Sequence, residues 1–165
     1  MAKWGNFDYN QWKRLRQKLQ KLNTVNYKAC CEECAKELAA RLLAKAIKRT
    51  PVGDYPKSSG KKGGTLRRGW TAKTEDAARS GARSNAKEWA NNLPITKIGN
   101  MYKIEIINPV KYASYVEFGH RTKDHKGWVK GRFMLTMSEN EVETIAPKIL
   151  EQKLLKCLGE CFNDD

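Results

Sequence analysis

The sequence has few histidines and no long apolar run. Only 2 histidines occur among 165 residues, and no apolar run reaches the length of about 18 residues that a membrane-spanning helix needs. The first residues, MAKWGNFDYNQW, also lack the apolar core of a secretory signal peptide. We therefore expect a protein with no membrane partner, which stays in the compartment where it is made.

Signatures of catalysis are also missing. The chain shows no Ser-His-Asp arrangement, no phosphate-binding glycine loop and no dinucleotide-binding motif. Glu117, His120, Asp124 and His125 lie close together in sequence, a composition that would suit a metal site or acid–base chemistry. Their spacing matches no metalloenzyme motif, and we expect a polar loop there. The sequence thus predicts no enzyme: no catalytic residues, no metal ligands and no cofactor.

Acidic residues are scarce. The chain has 18 Asp and Glu against 32 Lys and Arg, which gives a net charge of +14. Residues 1–73 carry 18 basic and 5 acidic side chains, whereas residues 134–165 carry 3 and 7. Excess positive charge favours an anionic partner, usually nucleic acid. The acidic end suggests another partner, because in a ring it could face the basic surface of the next subunit.

Length and composition predict one folded domain over residues 1–165. A hydrophobic share of 40% is too high for a disordered chain. We divide the domain into a helical part (1–49), a basic loop (50–64), a sheet part (65–136) and a C-terminal helix (137–162). Helices, then a small and mostly antiparallel sheet, then a long helix define the α+β class.

The helical part contains two predicted helices. The first is capped by Asp8 or Asn10, and its apolar positions recur at helical spacing: Trp12, Leu15, Leu19 and Leu22. The second spans about 25–49, is rich in alanine and contains no internal glycine or proline. Pro51 should end it near Arg49.

Prolines and glycines concentrate between Thr50 and Trp70. They are Pro51, Gly53, Pro56, Gly60, Gly63, Gly64 and Gly69. Proline fixes the backbone and glycine opens left-handed conformations, which predicts a loop up to Gly64. The loop and the segment that follows it are positively charged, from Lys57, Lys61, Lys62, Arg67, Arg68 and Lys73. Two interpretations stay open: a solvated connector, or an arm that docks on protein or DNA.

Three segments of the sheet part are predicted as strands: Thr65–Lys73, Met101–Ile107 and Trp128–Thr136. Val110–Phe118 fits either a strand or one to two helical turns. Thr74–Pro94 is predicted to be part helix and part loop.

The chain has 5 tryptophans among many Lys and Arg residues, a combination that can stack on single-stranded bases. Trp70 and Trp128 lie in strand-like segments, so we expect them in the packed face of the sheet instead. Contact with duplex DNA through its phosphates needs only positive charge and stays open.

The C-terminal helix is predicted to begin at Ser138, because Ser is a favoured cap and acidic residues follow it. Glu139, Glu141 and Glu143 would favour the positive end of the helix dipole. Pro147 costs roughly 3 kcal/mol inside a straight helix. We therefore expect either a kink at Pro147 or a helix that begins near it.

The cysteines form two pairs at i, i+4 spacing: Cys30 with Cys34 and Cys157 with Cys161, with Cys31 adjacent. Two facing pairs would offer four thiolates to zinc. Disulfides are rare in a cytosolic chain. We favour free thiols, with zinc and a disulfide as the alternatives.

Two motifs resemble those of a known family. TPVGDYPKSSGKKGGTLRRGW resembles a helix that ends in Thr-Pro-Val, a glycine-bearing loop and a Gly-x-Leu-Arg-x-x-Trp sequence that starts the sheet. NPVKYASYVEFGHRT resembles the companion motif Tyr-Ala-x-x-Val-Glu-x-Gly. Both are similar to motifs of the tail-component (neck) proteins of tailed phages, first defined in lambda-like siphophages. The residues after Asp124 look closest to the branch in defective prophages and contractile tail-like particles of Gram-positive bacteria.

The resemblance implies a small α+β subunit of the head–tail connector. It implies assembly into a ring, sixfold like the tail, beside neighbouring tail or neck proteins and with possible DNA contact in the lumen. The protein would reside in the virion or a phage-like particle, and in the bacterial cytoplasm before assembly.

Motif residues carry over by position. The first motif supplies Pro51, Gly64, Leu66, Arg67 and Trp70, and the second supplies Tyr112, Ala113, Val116, Glu117 and Gly119. We expect both glycines to let the backbone turn and the apolar members to pack. Arg67 and Glu117 are expected to form a charge pair within or between subunits. The segment Thr74–Pro94 departs from the family pattern.

Two functional hypotheses follow. In the first, the protein is a structural component of the neck whose basic loop docks on a neighbouring ring. The alternative is a basic DNA-binding module that uses Lys57, Lys61, Lys62, Arg67 and Arg68.

Overall fold

The computed structural model describes residues 13–14, 16–17, 20, 27–60, 63–81 and 84–163. Within the first predicted helix, five polar residues are helical and exposed: Lys13, Arg14, Arg16, Gln17 and Gln20. The predicted caps and apolar stripe lie outside the described residues: Asp8, Asn10, Trp12, Leu15, Leu19 and Leu22.

The residues that the structure describes from Tyr27 onward form six α-helices and two hairpins. The helices are α1 (Tyr27–Arg49), α2 (Thr65–Gly69), α3 (Glu75–Ser80), α4 (Ala86–Asn92), α5 (Ala113–Phe118) and α6 (Met134–Asn163). Strand β1 (Ile95–Ile98) pairs antiparallel with β2 (Met101–Ile104), and β3 (Gly119–Arg121) pairs antiparallel with β4 (Trp128–Lys130). The α+β class is confirmed. The strands form two separate two-stranded sheets instead of one.

Helix α1 is the predicted alanine-rich helix. It ends at Arg49, as expected from Pro51. Leu43 and Ala46 are fully buried, and small alanine side chains let neighbouring helices approach closely. The core forms around this helix from the following buried residues: Ala39, Leu43, Ala46, Leu66, Trp70, Ala78, Ala90, Val110 and Met134.

The segment Thr74–Pro94 contains two capped helices, in agreement with the prediction of part helix and part loop. The Thr74 hydroxyl accepts a hydrogen bond from the Ala77 N–H at 3.2 Å, at the start of α3. The Asn85 side chain accepts from the Lys87 N–H at 2.9 Å, at the start of α4. Both are ordinary N-caps, and each helix buries one alanine in the core.

Two strand predictions were wrong. Within Thr65–Lys73, residues Thr65–Gly69 form helix α2, because Leu66 and Trp70 are one helical turn apart and both are buried in the core. The predicted strand Trp128–Thr136 ends at Lys130, and α6 begins at Met134. Val110–Phe118 takes the helical alternative as α5, whereas Met101–Ile107 is a strand up to Ile104.

Helix α6 begins one turn earlier than predicted. Ser138 lies inside the helix, where its hydroxyl donates to the Met134 carbonyl at 2.6 Å. It is therefore not the cap. The helix continues through Pro147, so a start near Pro147 is also wrong, and a kink there stays a prediction. In the described part of the chain, no helix is long and apolar enough to span a bilayer.

The cysteine prediction was wrong for two residues. Cys30 in α1 and Cys157 in α6 form a disulfide, with their Cα atoms 6.5 Å apart. The two helices pack together and bring these positions within bonding distance across 127 residues. Cys31 and Cys34 are free thiols, and burial raises the pKa of Cys34. The side chain of Cys161 lies outside the described part.

Candidate functional site

The first motif is organised around Thr50, the residue after α1. Thr50 is fully buried, and its hydroxyl donates to the Ala46 carbonyl at 2.6 Å. The same oxygen accepts the indole N–H of Trp70 at 2.6 Å. The sequence analysis placed Thr50 at the end of a helix and did not predict that its hydroxyl binds Trp70. The sequence feature that could have indicated this role is a small hydroxyl residue directly before Pro51.

Arg67 binds the carbonyl end of α1. Its Nε and Nη2 atoms donate to the Thr50 carbonyl at 3.0 and 2.6 Å. Carbonyls at a helix C-terminus lack intrahelical partners and carry partial negative charge, so a guanidinium is a favourable partner there. The position of Arg67 in the motif thus has a structural cause.

Asn108 joins the two motifs, which sequence reasoning did not foresee. Its side-chain N–H donates to the Leu66 carbonyl at 2.9 Å, and its side-chain oxygen accepts from the Val110 N–H at 3.2 Å. A Cβ on Gly69 would lie 2.2 Å from that oxygen, so α2 can approach Asn108 only with glycine there. An Asn before Pro109 was the sequence signal.

Glu117 binds the amino end of α6. It is 6% exposed, and its carboxylate accepts from the backbone N–H groups of Leu135 and Thr136 at 2.9–3.1 Å. The Thr136 hydroxyl donates to it at 2.9 Å. An anion at the positive end of a helix dipole is favourable, and this explains why α6 needs no cap at Ser138.

The expected pair of Arg67 with Glu117 is replaced by these two arrangements. Within the described subunit, Arg67 binds the C-terminus of α1 and Glu117 binds the N-terminus of α6. The intrasubunit form of the predicted pair is therefore wrong. Each charged side chain is hydrogen-bonded to backbone groups at a helix end. These carbonyl and N–H groups would otherwise lack partners in a partly buried position.

The motif glycines turn the backbone as predicted. Gly64 precedes α2 with φ of 91°, and Gly119 follows α5 with φ of 88°. A Cβ on Gly119 would lie 2.4 Å from the Val129 carbonyl oxygen. The close approach of the paired strands β3 and β4 at this position therefore requires glycine.

Most of the basic loop is exposed, whereas the two arginines that follow it in α2 are bound to backbone carbonyls. Lys57 is exposed on a 3-10 turn. Arg68 donates to the Ala78 carbonyl at 2.7 Å and the Gly63 carbonyl at 3.2 Å, and Arg67 binds Thr50. Lys61 and Lys62 lie outside the described residues.

Both motifs line one open groove of about 820 Å³. Five of its lining residues belong to the motifs: Pro51, Gly64, Leu66, Tyr112 and Val116. The loop contributes Val52 and Tyr55, whose exposures are 48% and 47%. Burial raises the pKa of Tyr112, and the neighbouring Tyr55 hydroxyl adds to this effect. Ala113 packs against the core.

A second surface surrounds the β3–β4 hairpin. Large apolar side chains are exposed on it: Tyr115, Phe118, Trp128, Val129, Phe133 and Met137. The prediction that Trp128 lies in a packed face was wrong, since its exposure is 63%. A two-stranded ribbon has no further layer to cover Trp128. Trp70 is buried as predicted, although it caps the end of helix α2 and does not lie in a strand.

His120 and His125 stand in this same hairpin. Asp124 accepts from the Thr122 hydroxyl, which lowers its pKa, and Glu117 is bound by α6. Across the described residues, no group of three or more His, Cys, Asp or Glu is arranged to hold a metal ion.

The fold and the contacts of the two motifs define a small α+β protein in which motif residues bind the ends of neighbouring helices. Comparison with known families identifies it further. Residues 13–119 match the family described as "Bacteriophage HK97-gp10, putative tail-component". The chain belongs to this family of phage tail components, which places it in the virion.

Neither the curated proteins nor the solved structures contain a significant match to the chain. The family match extends from the polar helical residues near Lys13 to Gly119, so it includes both motifs. It ends at the first residue of β3, so the rest of the β3–β4 hairpin and helix α6 lie outside it.

Proposed function

We propose that the protein is a non-enzymatic component of the head–tail neck, and that it forms or joins a ring through protein–protein contacts. The branch found in defective prophages and contractile tail-like particles of Gram-positive bacteria is the source we favour. Before assembly the subunit resides in the host cytoplasm.

The observation that carries this proposal is the exposed apolar surface next to both motifs. Val52 and Tyr55 flank the motif groove, and Tyr115, Phe118 and Trp128 surround the second motif at 59–63% exposure. Soluble monomers rarely leave such clusters in water, whereas aromatic residues are enriched at protein interfaces. The motif residues themselves build the scaffold that holds these surfaces in place.

Deletion of residues 58–63 tests the docking role of the basic loop. Of residues 58–63, those that the structure describes contribute no side chain to the core, and the deletion removes the hydrogen bond from Arg68 to the Gly63 carbonyl. The shortened subunit should therefore keep its fold. We expect a wild-type circular dichroism spectrum and loss of the protein from purified particles, measured by quantitative mass spectrometry of particle proteins.

A matched control keeps the loop and removes its charge at one exposed position, Lys57→Gln. We expect this variant to enter particles normally if shape and apolar contacts of the loop dominate docking. Normal incorporation of the deletion variant would contradict the docking role.

Positive charge supports a second candidate, a DNA-binding module. The net charge is +14, and the hairpin exposes Arg121, Lys123, Lys126 and Lys130. The version of this hypothesis that uses the loop and the two arginines after it is weakened, because Arg67 and Arg68 bind backbone carbonyls. It predicts duplex affinity that falls by orders of magnitude between about 50 and 200 mM salt. Absence of a mobility shift at low salt would remove it.

A further inference from the structure

The β3–β4 hairpin presents a cationic and aromatic face. In the antiparallel register Arg121 lies opposite Trp128 and Gly119 lies opposite Lys130. Opposed residues share a face, and so do residues two apart in a strand. Arg121, Trp128 and Lys130 therefore point to the same side, and all three are exposed. We call these three residues the hairpin patch.

An apolar groove of about 490 Å³ lies elsewhere on the subunit, between α1, β2 and α6. Its lining is almost entirely apolar and includes Leu38, Leu42, Ile106, Leu150 and Leu154. Val142 is the lining residue of α6 nearest to Met134, the end beside the hairpin, and lies about 12 Å from it along the helix at about 1.5 Å per residue. The hairpin patch and the groove are thus separate surfaces.

Exposed carboxylates neighbour the groove on both helices. Glu151 follows Leu150 on α6 and is exposed, and Glu33 precedes Cys34 on α1 with its side chain 67% exposed. Glu33 is 3.9 Å from Lys153, a long and solvent-exposed pairing that holds it weakly. The rim is of mixed charge, because Lys153 and Lys97 also lie beside the groove. Its exposed carboxylates, Glu33 and Glu151, are the groups that can meet the cations of the hairpin patch.

We propose that the hairpin patch of one copy docks in the groove of a second copy, with Trp128 against the apolar floor and Arg121 and Lys130 near the carboxylates. This inference rests on the proposed assembly and names its contact. Aromatic anchors in apolar pockets dominate many interfaces. The two surfaces differ, so the contact is heterologous and repeats around a ring when the rotation closes.

Two exposed substitutions separate the surfaces: Trp128→Ser in the hairpin patch and Leu154→Asp in the groove. Each variant alone should self-associate about tenfold more weakly or worse, measured by analytical ultracentrifugation. An equimolar mixture should form dimers and stop there, because each chain keeps one intact surface. Ile98→Ser, at a similarly exposed position, is the control and should assemble like the wild type.

Charge reversal provides an independent check. Lys130→Glu and Glu151→Lys should each weaken assembly, and the two changes combined in one chain should restore part of it. Equal assembly of all these variants and the wild type, or a wild-type chain that stays monomeric throughout the concentration series, would overturn the contact.

Cys31 reports on the groove directly, because this free thiol lines it. Assembly should slow its labelling by a thiol reagent in the wild type and not in Trp128→Ser. Equal protection in dilute monomers of both proteins would show that the chain covers its own groove, and would overturn the proposal. Loss of duplex affinity in Lys130→Glu with unchanged assembly would assign the hairpin to DNA instead.

Failure of this contact differs from failure of the neck role. Variants that assemble normally would remove the contact, while particles from a gene deletion would still report whether the protein acts at the neck.

Discussion

Glu117 shows how a single motif residue acts through a neighbouring element. Its carboxylate accepts two backbone N–H groups and one hydroxyl at the start of α6, and it is shielded from water. A glutamine at this position would keep one acceptor oxygen, but its side-chain NH2 group would face the backbone N–H groups at the start of α6. The favourable placement of a negative charge against the amino end of a helix is then lost.

Glu117→Gln should lower the free energy of unfolding by about 1–3 kcal/mol, because a buried charge-assisted arrangement is removed. The measurement is the urea midpoint with the slope held constant. Glu139→Gln, on the exposed side of α6, should change stability by less than about 0.5 kcal/mol. Equal effects of the two changes would contradict the capping role.

Gly119 and Gly127 lie in the same hairpin and give a matched comparison. Alanine at Gly119 meets both a left-handed φ of 88° and a carbonyl oxygen at 2.4 Å, so Gly119→Ala should cost at least about 2 kcal/mol. At Gly127 the nearest atom would be 3.4 Å away, an ordinary contact. Thermal unfolding of Gly119→Ala and Gly127→Ala tests this prediction. Similar melting temperatures would show that the backbone at Gly119 can adjust to a side chain.

At the scale of elements, α1 and α6 are held together by both ionic and covalent links. Lys45 donates to the Glu141 carboxylate at 2.7 Å and Arg49 donates to its other oxygen, while Cys30 is bonded to Cys157. Hydrogen bonds from Lys45, and then from Arg49, lower the pKa of Glu141. The ionised carboxylate is thus favoured in the folded state.

The sign of the pH effect follows from that lowered pKa. Glu141 contributes stability above its ordinary pKa of 4.5, and this contribution disappears as the pH falls through the lower folded value. Glu141→Gln should therefore lose less stability than the wild type between neutral and acidic pH. Urea unfolding across this range is the measurement, with Glu143→Gln as control; parallel curves for wild type and Glu141→Gln would refute the link.

Sequence patterns correctly predicted elements in which the helical pattern extends over many residues. Helix α1 has many turns without glycine or proline, and its predicted end at Arg49 was confirmed. Helix α2 was missed because five residues give too short a window, and its Leu66 and Trp70 also fit a loose strand alternation. The caps by Arg67 and Glu117 join residues that are far apart in sequence, so only the tertiary packing reveals them.

At the scale of the whole molecule, the family motifs turn out to be internal. Their charged residues bind helix ends, and their apolar residues reach the core or line the open groove. The sequence resemblance singled out these residues, but it did not predict these contacts with helix ends. Exposed aromatic residues beside the motifs are the feature that calls for partners.

Electron microscopy of particles from a parent prophage that lacks this gene tests the neck role most directly. A neck component is needed to join or complete the tail, so we predict separate heads and tails, or tails of abnormal length. Restoring the wild-type gene should restore joined particles. Normal, joined particles without the gene would contradict the structural role in the neck.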